Sequence, residues 1–138
     1  MDQLQIAKGQ CLCGKVKFQA KLQKHMDACH CQMCQRWGGG PLLVAHACEI
    51  RFEGGEAITN YASSEWAQRG FCRHCGSHLY YQLLNGEGYE VPVGLFEEGS
   101  AFDFRKEIFI DRKPGWYEFA NATEKLTEAE VFSQFSGQ

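Results

Sequence analysis

The chain lacks most of the features that would place it outside ordinary folded domains. Only 3 of its 138 residues are proline, and the composition excludes collagen-like and disordered chains. The longest apolar stretch, around Pro41–Ala45, falls far short of the roughly 20 residues that cross a bilayer. The opening MDQLQIAKGQ has no apolar core of the kind a secretory signal carries, so a cytoplasmic, thiol-reducing setting is expected. Basic residues are also in deficit. The 14 Lys and Arg against 17 Asp and Glu give a formal charge of -3, so neither nucleic acid nor an anionic membrane is expected as a partner. What remains is a globular composition, 44% hydrophobic and 22% charged. It suits a single domain spanning residues 1–138 with a real apolar core.

Cysteine stands out. There are 8, at positions 11, 13, 29, 31, 34, 48, 72 and 75, a density below that of disulfide scaffolds. Seven fall in tight groups: Cys11-Leu12-Cys13, Cys29-His30-Cys31-Gln32-Met33-Cys34, and Cys72-Arg73-His74-Cys75. Cysteines one or two residues apart rarely reach each other with relaxed disulfide geometry. Paired thiolates at this spacing do suit a tetrahedral zinc ion, which takes two ligands from one turn and two from elsewhere.

Seven ligands are too many for one ion. Cys11-Leu12-Cys13-Gly14 and Cys72-Arg73-His74-Cys75-Gly76 share a form, two cysteines and then a glycine, with strand-like residues on both sides. Glycine there permits positive φ, which turns backbone amides toward the sulfurs. Facing each other, Cys11, Cys13, Cys72 and Cys75 make a closed structural zinc site. Cys29, Cys31 and Cys34 are then left for a second zinc with three protein ligands and an open fourth position, the arrangement of catalytic zinc. The competing readings are closure of that site by Cys48 or by His46. A lone Cys48 in a strand-like stretch reads otherwise as a small buried hydrophobe.

Alternation and turn residues predict strands at Leu4–Ala7, Val16–Ala20, Met26–Cys29, Leu42–Ala47, Ile50–Phe52, Ile58–Tyr61, Trp66–Phe71, Leu79–Leu84, Tyr89–Val93, Ile108–Ile110 and Trp116–Phe119. One helical turn is expected over Cys31–Trp37. A C-terminal helix opens at the capping box Thr127-Glu128-Ala129-Glu130, with Val131, Phe132 and Phe135 on one face. The fold class is mainly β, built from small sheets stapled by metal.

With these groups in place, the sequence resembles the glutathione-dependent formaldehyde-activating family, also called the GFA or CENP-V domain family. The resemblance rests on Gln10-Cys11-Leu12-Cys13-Gly14 with Val16, on Cys29-His30-Cys31-Gln32-Met33-Cys34, on Phe71-Cys72-Arg73-His74-Cys75-Gly76-Ser77 with Leu79, and on the stretch Ile108–Tyr117 ending Gly115-Trp116-Tyr117. It implies an Mss-four-like fold of several small coiled antiparallel sheets and two Zn²⁺ per chain with the same division of ligands. It also implies the joining of formaldehyde to glutathione, formally the reverse of a carbon–sulfur lyase. The sequence departs from the family form at Gly94-Leu95-Phe96-Glu97, where a glycine–X–Asp turn is expected.

The chemistry of the donor set agrees. Zinc with three thiolates is a weak Lewis acid but holds an exogenous thiol as its thiolate, well below a free pKa of about 8.5. Addition of a small thiol to an aldehyde follows more naturally than hydrolysis. Arg36, two residues past Cys34, is the candidate partner for a substrate carboxylate, with Arg69 and Arg73 behind it. His46 is a candidate general acid or base, and His30 and His74 are expected beside the sulfurs rather than on the metal. The alternative from another class is a non-enzymatic, protein-binding module with two structural zincs. Methionine-sulfoxide reduction, which occurs on a similar scaffold, needs a nucleophilic cysteine late in the chain, and none follows Cys75.

Overall fold

The segments that alternate polar and apolar residues form ten strands in a computed structural model describing residues 3–136, except the side chains of residues 100, 135 and 136. In chain order these are β1 (Gln5–Gln10), β2 (Lys17–Leu22), β3 (His25–Cys29), β4 (Leu42–Glu53), β5 (Ile58–Tyr61), β6 (Ala67–Cys72), β7 (His78–Leu83), β8 (Gly88–Pro92), β9 (Asp103–Ile108) and β10 (Glu124–Leu126). Two α-helices, α1 (Gln32–Gly38) and α2 (Glu128–Ser136), complete the regular structure with four short 3-10 turns. The expected mainly β class is what the chain adopts. It divides into two compact units, one comprising the residues up to Lys24 with Ala45–Phe102, the other His25–Val44 with the residues from Asp103 on.

In the first unit β1 and β2 form the antiparallel hairpin around the first cysteine pair. Phe18, Ala20 and Leu22 of β2 point inward on alternate residues, as the two-residue period requires. They meet Ala45, Ala47, Val91 and Phe96 in one core cluster. Strands β5 to β8 form an antiparallel meander whose last strand lies beside β4. A second cluster of Val16, Ala57, Leu79 and Tyr80 closes around Cys11 and Cys72.

Where the sequence suggests two strands, Leu42–Ala47 and Ile50–Phe52, the structure has one continuous β4. Lys21 of β2 faces Glu49 and Leu22 faces Ala47, so Cys48 is the extra residue of a β-bulge. The bulge resets the inward phase from Ala47 to Ile50, which is what makes the alternation look broken. Cys48 is exposed rather than buried, and its thiol donates to the Lys21 carbonyl at 3.4 Å.

The second unit departs from an all-antiparallel plan. There β3 and β10 both run parallel to β9, while β3 pairs antiparallel with Leu42–Val44 of β4. Parallel neighbours need a long connection, and the chain from residue 30 to 102 supplies one. Helix α1 makes two turns rather than one, starting at Cys31 and ending where Gly39 adopts φ 83° and returns its N–H to Gln35. Strand β9 stops at Ile108 because Phe109 turns left-handed at φ 56°.

Trp116–Phe119 is no strand. Its rings are used sideways, Tyr117 and Phe119 packing within 5.5 and 6.0 Å of the His30 ring, and the ladder position goes to β10. At α2 the capping box forms as expected: Thr127 Oγ1 accepts from Glu130 N–H at 3.2 Å, and Glu130 Oε1 accepts from Thr127 N–H at 2.8 Å. Val131 is buried and Phe132 half exposed; the side chain of Phe135 lies outside the described residues.

One glycine ties the two cysteine turns of the first unit together. Gly54 sits at φ +81°, and a Cβ there would lie 1.9 Å from the Lys15 carbonyl oxygen beside the first turn. Its 3-10 turn then presents the Ala57 carbonyl to the Arg73 N–H of the second. Gly54→Ala is expected to lower the urea midpoint by the equivalent of more than about 1 kcal/mol, from backbone clash and positive φ together. A midpoint equal to wild type contradicts this packing.

Candidate metal centres

The two cysteine turns of the first unit are built alike. Cys11 N–H bonds the Val16 carbonyl at 3.0 Å and Cys72 N–H bonds the Ser77 carbonyl at 2.9 Å, each five residues on. Gly14 and Gly76 follow with φ 80° and 79°, returning their N–H groups to the Cys11 and Cys72 carbonyls. Leu12 N–H crosses to Ser77 Oγ at 2.9 Å, locking one turn to the other. The sulfurs of Cys11, Cys13, Cys72 and Cys75 consequently lie within 4.8 Å of one another.

These separations distinguish the possible chemistries. Cys11 Sγ is 3.6 Å from Cys13 Sγ, which is 3.8 Å from Cys72 Sγ. That is far beyond a disulfide bond of about 2.05 Å. A tetrahedron with metal–sulfur arms of about 2.3 Å has edges of about 3.8 Å, so the group fits one ion. The electrostatics of the four thiols make the same demand. Ser77, by its hydroxyl and then its N–H, draws the Cys75 thiol down to about 5. Cys13 is pushed up to about 11: the Lys15 N–H bond opposes this, and burial with the three neighbouring thiols outweighs it. Four acids this close cannot all ionise unless a cation shares their charge.

In the second unit three sulfurs come from six consecutive residues. Cys29 ends β3, Cys31 is the residue before α1 and accepts from Cys34 N–H at 3.3 Å, and Cys34 is the buried residue of that helix. Their sulfurs also lie within 4.8 Å. Hydrogen bonding to Cys31 and Cys34, then burial, pushes the Cys29 thiol upward, again the mark of thiols that need a cation to ionise together. The group holds three residues, and no further His, Cys, Asp or Glu joins it among the described residues. Leu42, Val44, Trp37, Ile108 and Phe109 pack around it.

His30, between the first two of these cysteines, is fully buried. Its ring meets no sulfur in a hydrogen bond; Nε2 lies 2.8 Å from Glu107 Oε1 and Nδ1 2.6 Å from Tyr117 Oη. Glu107, itself 1% exposed, also accepts from Thr123 Oγ1 at 2.6 Å. Burial alone would raise its carboxyl, but the bonds from Thr123 and His30 hold it below the usual carboxylate value. Burial, then Glu107 and Cys29, raises Tyr117 above an ordinary phenol. Sequence reasoning missed Glu107 and Tyr117 because they lie 77 and 87 residues from His30. For Glu107 the available sign was a carboxylate at an inward position of β9, and for Tyr117 its place at the end of the Ile108–Tyr117 stretch that carries the family resemblance.

Other expected residues are placed differently. Arg36 is exposed in the last turn of α1, two residues past Cys34 and so on a different helical face. His46 is half exposed on β4 in the first unit, its Nδ1 2.5 Å from Glu90 Oε2, and His74 is exposed. Arg69 is no solvated arginine: it is 3% exposed, with its guanidinium 5.1 Å from the Tyr81 ring centre. The departing loop Gly94–Glu97 borders a cavity of about 170 Å³, with Lys8, Lys24, Glu98 and Phe102 on its other walls.

Fold and sites together define a β protein with two cysteine clusters able to hold metal ions. The family profile described as "glutathione-dependent formaldehyde-activating enzyme" matches residues 6–112, and the chain belongs to that family. It is 35% identical over 127 residues to an uncharacterized lyase of Schizosaccharomyces pombe, covering 89% of this chain and 92% of that protein. A crystal structure of a Rhodobacter sphaeroides protein superposes with a TM-score of 0.55 at 31% identity, over 66% of this chain and 88% of that one. No helix among the described residues is long and apolar enough to cross a membrane.

The two clusters respond differently to loss of one sulfur. Cys72 is fully buried and joins distant segments, so Cys72→Ser is expected to cost more than about 3 kcal/mol or prevent folding. Cys31 precedes a helix, where serine caps as well, so Cys31→Ser should stay within about 1 kcal/mol of wild type. Urea denaturation of both variants checks the contrast, and equal collapse contradicts it.

Proposed function

We propose that the chain is a zinc-dependent carbon–sulfur lyase acting on a small thiol such as glutathione and an aldehyde such as formaldehyde. The carrying observation is the contrast between four convergent sulfurs in one unit and three in the other. The name of the matching family and that of the yeast lyase support the same reaction class.

In this reading Cys11, Cys13, Cys72 and Cys75 hold a zinc ion for folding, and Cys29, Cys31 and Cys34 hold a second. A zinc ion held by Cys29, Cys31 and Cys34 would supply the charge that stabilises an exogenous thiol as its nucleophilic thiolate. The overall reaction forms one carbon–sulfur bond, converts the aldehyde carbonyl to a hydroxyl and moves the thiol proton to that oxygen; the lyase direction reverses all three changes. No oxidant or reductant is required.

This chain's own residues supply the surroundings. Trp37, Ile108 and Phe109 beside the sulfurs keep water from competing for the aldehyde. The three thiols reach the geometry without folding a new segment, since β3 and α1 already present them.

Elemental analysis of purified protein should find two zinc ions per chain, and glutathione should alter the release of one of them only. Exchange between free formaldehyde and S-hydroxymethylglutathione, followed by NMR, should speed up on adding the protein, and Cys31→Ser should lose at least about 100-fold of that effect. Two inert zincs and no response to thiols would overturn the lyase reading in favour of a protein-binding module.

A further inference from the structure

His30 stands between two of the three cysteines, and all its hydrogen-bonding groups are engaged. Its N–H donates to the Ile108 carbonyl at 3.1 Å, and its carbonyl accepts from Gln35 Nε2 at 3.0 Å. Its ring spans Glu107 and Tyr117. Buried polar groups this completely satisfied are costly to rearrange, because any shift leaves one of them unpaired in a dry environment. The surrounding aromatic rings of Tyr117 and Phe119 hold the imidazole plane from the sides.

Protons can be assigned along the chain of bonds. The Glu107 carboxylate can only accept, and Thr123 already donates to its other oxygen, so Nε2 carries a hydrogen toward Oε1. In a neutral ring Nδ1 is then left to accept from the Tyr117 hydroxyl. Cys29 and Cys31 are each one peptide bond from this fixed residue, and Cys34 is tied to Cys31 through the helix start. Three cysteines from one short loop are held by what that loop leans on: Cys29 pairs with Leu42 of β4 and Ile108 of β9, and His30 N–H bonds the Ile108 carbonyl. In the closed cluster the Leu12–Ser77 bond holds one turn to the other.

We propose that His30 is the positioning residue of the three-cysteine loop, locked into its Nε2–H tautomer by Glu107 and capped by Tyr117, so that the three sulfurs are assembled before an ion arrives. This rests on the reading of Cys29, Cys31 and Cys34 as zinc ligands. Groups that orient a metal site from behind its ligands typically change affinity by about 10- to 100-fold when removed, and this network is expected to act on one of the two zincs alone.

The test follows zinc release to a chromogenic chelator, expected in two phases for the wild type, fast from the three-cysteine site and slow from the four-cysteine site. Tyr117→Phe and Glu107→Ala should accelerate the fast phase about tenfold and leave the slow phase unchanged. Glu107→Gln, whose amide oxygen can still accept from Nε2–H, should restore wild-type release. Nitrogen-15 NMR of the His30 ring should show the Nε2–H tautomer. If Glu107→Ala fails to fold, Tyr117→Phe, which removes a single oxygen, decides the outcome. An unchanged fast phase, equal acceleration of both phases, or an Nδ1–H tautomer each overturn the proposal. One zinc per wild-type chain instead overturns the lyase reading, and the positioning role with it.

Discussion

Thiols packed at 3.6–3.8 Å repel one another as soon as they ionise, and a cation placed among them relieves that repulsion. The cysteines are also core residues. Cys11 and Cys72 sit inside one apolar cluster of the first unit, and Cys29 and Cys34 inside that of the second. Neither of these two clusters holds more than six fully buried residues, so the sulfurs supply a large share of what each has to close around. A metal ion held there would couple its binding to folding in the first unit, where the cysteines come from segments about sixty residues apart.

The two clusters solve the same electrostatic problem by different means. The first uses distance in the sequence: two similar turns, each ending in a positive-φ glycine, are held face to face by Ser77 and by the Gly54 turn. The second uses proximity, with three cysteines inside one strand end and one helix start. Its loop is bonded to β9 and the aromatic segment beyond it through Ile108, Glu107 and Tyr117. Phe109, held left-handed immediately after Ile108, is a further sign that this turn is fixed by its surroundings, since a bulky residue rarely adopts that conformation unaided.

The corrections to the sequence reading share a cause. At Cys48 the alternation breaks because a bulge in β4 adds one residue, and a break in period looks the same as a strand end. Trp116–Phe119 has strand-like composition, yet its rings are spent on packing against His30 and Phe104. Arg69, a further candidate for a substrate carboxylate, is instead buried where the neighbouring strand brings Tyr81 under it. In each case the deciding neighbour lies on another segment, and composition carries no information about it.

The grouping of the cysteines was legible from the chain alone, because such turns are local: cysteines two or three positions apart bring their sulfurs together within a single turn. The hairpins around Cys11–Cys13 and Cys72–Cys75 and the start of α2 were legible for the same reason, each being set within a few residues. Tertiary structure alone decided the parallel pairing of β3 with β9 and the meeting of His30, Glu107 and Tyr117. Those contacts join residues 77 and 87 positions apart, and no periodicity or spacing rule extends that far.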